Sequence, residues 1–122
     1  MKQRFITRPA AASITEIMLF IGEQNPIRAV EYHETVIGCL ARFDERFLPR
    51  QAHEELPGVY AVSVPGFRGY VVWVAVTDEA IAAVAAFRPG LTSEQQTQRA
   101  RPGLYVAAVR TVVGDVEGAA PH

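Results

Sequence analysis

Arginine is the residue type of this chain best suited to chemistry. Of the 12 basic residues 11 are arginine, with Lys2 the sole lysine, so any positive site must be built from guanidinium groups, which are planar, permanently charged and able to grip an anion bidentately. Two of them flank the stretch with the strongest strand chemistry. Arg68 stands in the turn Val64 to Gly69, just before the apolar run Tyr70 to Val76, and Arg88 follows the run Ala80 to Phe87. If those runs are neighbouring antiparallel strands, the start of one lies beside the end of the other, and the two guanidiniums share one patch. Tyr70 and Trp73 stand close to Arg68, and aromatic rings beside guanidinium groups suit nucleic acid or an acidic protein surface. The plainer alternative has Arg68 closing its turn, Arg88 ending a strand in solvent and both rings in the core. For Trp73 the core is favoured, because its strand is apolar on both faces.

Other chemistry has less to work with. His33, His53 and His122 are scattered and lack a companion carboxylate at ligand spacing, so no metal site and no cofactor are expected. Glu31, Glu34, Asp44 and Glu45 read as the solvated face of a helix, with weak pairing to nearby arginines. Cys39, the only cysteine, reads as a small buried hydrophobe; it excludes an internal disulfide and fits a reducing compartment. No glycine loop of the phosphate-cradling kind lies between a strand and a helix.

Composition is that of an ordinary folded domain: 122 residues, 49% hydrophobic and 20% charged, with a formal net charge of −1 that draws the chain to neither nucleic acid nor membrane as a whole. The start, Met1 to Ala12, lacks the apolar run of a secretion signal, and no segment approaches the roughly 18 apolar residues of a membrane span. The expected location is the cytoplasm.

The elements that must carry the arginines follow from periodicity and punctuation. Gln3 to Thr7 is a short strand ended by Pro9. Ser13 and Glu16 have the spacing of a capping box, which predicts a helix start there, with Ile14, Ile17, Met18 and Ile21 as its apolar stripe. Asn25 and Pro26 begin a second helix as cap and first residue, and its apolar positions run from Ile27 to Phe47. So short a break makes the two an αα-hairpin. After the loop Leu48 to Gly58, three strands over 59–64, 70–76 and 80–87 form an antiparallel meander turned at Pro65-Gly66 and Asp78-Glu79. Thr92 to Pro102 reads as a linker or frayed helix, Leu104 to Val113 as a further strand, and Gly114 to His122 as a loose tail.

Over about Phe5 to Leu91 this order of elements resembles the RelE/ParE toxins of type II toxin-antitoxin systems. The landmarks are Ile14-x-x-Ile17 with Phe20-Ile21, the break Gln24-Asn25-Pro26 followed by Arg28-Ala29, the turn Val64-Pro65-Gly66-Phe67-Arg68-Gly69-Tyr70, and the strands around Thr77-Asp78-Glu79. The resemblance implies an α+β fold with the N-terminal αα-hairpin packed on a twisted antiparallel β-sheet. It divides the chain into a toxin-like domain, 1–91, and a C-terminal segment, 92–122. It also implies a growth-inhibiting toxin, of a family linked with plasmid stabilisation, whose partner is a cognate antitoxin. RelE-type ribonucleases carry lysines and an arginine at places that look like Ala61, Ser63 and Val71 here, and Arg88 and Leu91 replace a histidine and an arginine found in many relatives. Losing that set weakens cleavage of messenger RNA on the ribosome, because phosphodiester cleavage needs placed charge and proton transfer. The resemblance then favours a ParE-like toxin that binds DNA gyrase, with no catalytic residue assigned and Arg68, Tyr70 and Arg88 as target-binding candidates. An inactive, antitoxin-binding member is the other alternative. Sequence-specific DNA binding by the toxin alone and membrane association are not expected.

Overall fold

Thr7 turns the first strand directly into a helix. In a computed structural model that describes residues 2–47 and 49–113, β1 spans Gln3–Ile6 and α1 spans Arg8–Gly22. The Thr7 hydroxyl, buried, accepts the Ala10 N–H at 3.2 Å, and Pro9 occupies the first turn, where its missing N–H costs nothing. The helix therefore begins ahead of Ser13. Ser13 is an interior residue: its hydroxyl donates to the Ala10 carbonyl at 2.9 Å and accepts the Ala86 N–H at 3.0 Å. The predicted capping box is a bond from helix to sheet instead. Ile14 and Ile17 are buried, and Met18 and Ile21 pack half-buried beside them.

α2, Pro26–Arg42, starts as its sequence dictates, with Asn25 Oδ1 accepting the Arg28 N–H at 3.2 Å. Ala29, Tyr32, Val36 and Leu40 form its buried stripe. It stops short of the expected Phe47. Asp44 Oδ1 accepts the Arg46 N–H at 2.9 Å, a local bond that competes with helical continuation. Phe43 still reaches the core, against Tyr60, but from extended backbone, and Phe47 is 80% exposed in a short 3₁₀ turn.

The sheet comprises β2 (Val59–Ser63), β3 (Val71–Val76) and β4 (Ala80–Phe87), an antiparallel meander as expected, joined by β1 in the order β1-β4-β3-β2. β1 runs parallel to β4, Gln3 opposite Ala80 and Ile6 opposite Ala83, so the sheet is mixed. Every residue of β4 is buried, because the sheet is covered on both faces. Val72, Val74, Ile81, Ala83 and Ala86 face the helical hairpin. Trp73, Ala75, Ala82, Val84 and Phe87 belong to a second core on the opposite side.

That second core is closed by α3, Ser93–Val113. The expected linker and the expected further strand over Leu104 to Val113 are one helix. Its start is a capping box: Thr92 Oγ1 accepts the Gln95 N–H at 3.1 Å, while Gln95 Oε1 accepts the Thr92 N–H at 2.9 Å. Ala100, Gly103, Leu104 and Ala107, at spacings of three, four and seven, face the sheet. Gly103 sits so close to β4 that a Cβ there would lie 1.9 Å from the Val84 carbonyl oxygen. The expected tail, Gly114 to His122, and Leu48 at the head of the expected loop lie outside the described residues.

Candidate functional site

Strand register brings the two arginines to one end of the sheet. Val71 at the start of β3 pairs with Phe87 at the end of β4, so Arg68 and Arg88 both lie just beyond that pair. The turn before β3 is held by backbone bonds: Phe67 N–H to the Val64 carbonyl, Tyr70 N–H to the Phe67 carbonyl and Val64 N–H to the Tyr70 carbonyl, each at 3.0 Å. Gly69 is left-handed at φ +84°, and a Cβ on it would lie 2.9 Å from Pro89 Cγ. Only glycine lets the turn pack against the segment that carries Arg88.

Each sequence candidate takes a distinct place there. Arg68 is exposed at the apex, and the ion pairs found among the described residues lie elsewhere, at Lys2–Glu45, Arg28–Glu31 and Arg46–Asp44. Tyr70 is half-buried, its ring 5.8 Å from Tyr32 and 6.2 Å from Phe67. The Arg88 guanidinium lies 4.1 Å over the ring of Phe20 on α1. Trp73 is apart from all of them: buried on the α3 side with Phe87, ring centroids 5.4 Å apart, it is core.

Three residues that the sequence offers only as landmarks of the resemblance, Arg28, Phe20 and Phe67, complete the surface. Arg28 of α2 lays its guanidinium 4.0 Å over the Phe67 ring, donates from Nη2 to the Gly66 carbonyl at 2.7 Å and from Nη1 to Glu31 at 3.0 Å. It clamps the turn to the hairpin. Phe20 and Phe67 thus each carry a guanidinium on one face, and both line one pocket of about 340 Å³ with Ile21, Gln24, Asn25, Arg28 and Tyr70. The signal for Arg28 was its place one turn beyond the Asn25-Pro26 helix start, and for Phe20 its place off the Ile14–Ile17–Ile21 stripe. Neither shows in the sequence that it meets the Val64–Tyr70 turn or Arg88.

Proton chemistry around this surface is quiet. Burial, reinforced by the Tyr70 phenol and the Cys39 thiol, pushes the Tyr32 hydroxyl far above the usual tyrosine range, and that hydroxyl has no hydrogen-bond partner. Burial also raises the Cys39 thiol, against the lowering effect of Arg42. Both stay protonated at neutral pH and offer neither a base nor a thiolate. Among the described residues no three His, Cys, Asp or Glu side chains gather to hold a metal ion. His33 is exposed on α2, while His53 accepts the Glu55 N–H at its Nδ1, 3.1 Å away; His122 is outside the described residues. The arrangement is suited to recognition: paired rings, capped by positive charge, around a shallow apolar pocket.

No protein-family model and no curated protein matches the chain. Its fold is matched by a chain of a solved structure described as a chromosomal ParDE TA system from P. aeruginosa, at 18% identity and a TM-score of 0.60, over 74% of this chain and 98% of that one. The fold is ParE-like, an α+β architecture consistent with the one that the resemblance implied. About a quarter of this chain lies outside the likeness.

Proposed function

We propose that this protein is the toxin of a type II toxin-antitoxin pair, that it arrests growth in the cytoplasm by binding DNA gyrase, and that a cognate antitoxin neutralises it. The observation that carries the reading is the surface of Arg68, Tyr70 and Arg88, completed by Arg28, Phe20 and Phe67, on a ParE-like fold. Such a surface gains affinity from ring burial and steering from charge, the two resources of a binding toxin. At the places where, by the resemblance, RelE-type ribonucleases carry basic residues, this chain has Ala61, Ser63 and Val71, which favours binding over cleavage. Leu19, Ile27 and Val30 on the hairpin are 68%, 73% and 54% exposed, apolar surface of the kind an antitoxin covers.

The test is expression alone in a bacterium, beside the Arg68→Ala, Arg88→Ala double variant, followed by supercoiling assays with purified gyrase. Growth arrest relieved by the double variant, with inhibited supercoiling, is the expected result. Cleaved transcripts on translating ribosomes with unaffected gyrase would transfer the assignment to a RelE-type ribonuclease. Normal growth with soluble protein would leave an inactive antitoxin-binding member.

A further inference from the structure

Beyond the last residue of β1, the outer edge of β4 is left to the helices. β1 reaches only to Ile6 opposite Ala83; further along, Ser13 of α1 takes the Ala86 N–H, and α3 presses on Val84 through Gly103. Between α1, the end of β4 and α3 lies a cavity of about 460 Å³, within the roughly 300–1,000 Å³ of small-molecule sites. It is distinct from the Phe20–Phe67 pocket, although Arg88, one of its lining residues, lays its guanidinium over the Phe20 ring.

The walls include apolar Ile17 and Leu91, and three charged side chains, Glu16, Arg88 and Arg99. None of the three takes part in the ion pairs found among the described residues. Two arginines that line one cavity, neither of them in an ion pair found among the described residues, are matched by a dianion with several acceptor oxygens: a phosphomonoester fits two planar forks, whereas one fork satisfies a single carboxylate. Glu16 adds a second requirement. An ionised carboxylate only accepts, so the ligand's body must present hydroxyl or amino donors away from its phosphate. Inorganic phosphate meets the first condition alone.

We propose that this cavity binds a small phosphomonoester of the nucleoside monophosphate or sugar phosphate kind, with Arg88 and Arg99 on the phosphate and Glu16 on a donor of the body. Calorimetric titration of the full chain with adenosine monophosphate, glucose 6-phosphate, adenosine and inorganic phosphate tests it and separates the two kinds. At least one ester should bind, more tightly than inorganic phosphate, and adenosine more weakly than its monophosphate. Arg99→Ala should weaken the bound ester by about tenfold or more, the loss expected of a charge-assisted contact. Glu16→Gln should weaken the ester yet tighten inorganic phosphate, an opposite pair of changes that general unfolding cannot produce. Arg68→Ala, outside this cavity, should bind the ester as the parent does, so the result stands independently of any toxin assay. Absence of binding by both esters, adenosine binding as well as its monophosphate, or unchanged binding by Arg99→Ala with the circular dichroism spectrum intact would overturn the proposal.

Discussion

Tyr32 carries the most costly single group in the hairpin core, a fully buried hydroxyl with no partner beneath the rings of Phe67 and Tyr70. An unsatisfied buried hydroxyl costs about 1–3 kcal/mol, so Tyr32→Phe should raise stability by about 1 kcal/mol, measured by urea denaturation. The same substitution should change the alkaline limb. Because the folded state holds this phenol above the ordinary tyrosine value of 10.0, its contribution is fully present below pH 10 and is lost as the pH rises beyond it, where only the unfolded chain releases the proton. Tyr32→Phe removes that component, and an alkaline limb as steep as the parent's would contradict the assignment. At the surface, Arg68→Ala should change stability by less than about 0.5 kcal/mol while relieving growth arrest. A large fall in melting temperature would instead make Arg68 a structural residue of its turn.

Among the elements, α3 depends on one close approach. Alanine is a better helix former than glycine by about 1 kcal/mol, yet Gly103→Ala would place its methyl carbon against the backbone carbonyl of Val84, which cannot swing aside as a side chain would. Overpacking of this kind costs about 1–3 kcal/mol, so the melting temperature should fall despite the better propensity. Thr92→Ala removes one half of the capping box and should cost about 0.5–2 kcal/mol in the same assay.

Those two residues also explain what the sequence hid. Pro102-Gly103 reads as a breaker pair, and of the stripe Ala100, Gly103, Leu104 and Ala107 only Leu104 is large enough to register as apolar. The Thr92–Gln95 cap was the available signal. At the other end, Ser13 and Glu16 offered the more familiar cap pattern, but Thr7 lies where β1 must turn, and its side chain wins. The meander was legible because Asp78-Glu79 and Pro65-Gly66 punctuate long β-rich runs. The parallel pairing of β1 with β4 was not, since it joins segments far apart in sequence. The same limit applies to the site: Arg68 and Arg88 could be placed together from strand order, whereas the stacking of Arg28 on Phe67 and Arg88 on Phe20 arises only when hairpin and sheet pack.

As a whole the molecule has three layers, hairpin, sheet and α3, and its second core rests on the third of them. Deleting residues 92–122 would bare Trp73, Val84 and Phe87, side chains at most 3% exposed in the complete chain. The truncated protein should aggregate or bind the dye that reports exposed apolar surface. A soluble, cooperatively folding 1–91 fragment would show that the first core suffices. Since α3 lies over a face of the sheet rather than along an edge, it adds no strand at the edges of β1 and β2.

The partnership of β1 with β4 also bears on timing. A strand synthesised well ahead of residues 80–83 waits for them before it can pair, roughly 4–15 seconds at synthesis rates of about 5–20 residues per second. Until then the nascent chain has the segments of the hairpin but not the sheet end beyond which Arg68 and Arg88 lie. The surface assembles only once Arg88 has been made, later than the hairpin, which leaves an interval in which a partner at the site of translation meets the hairpin alone.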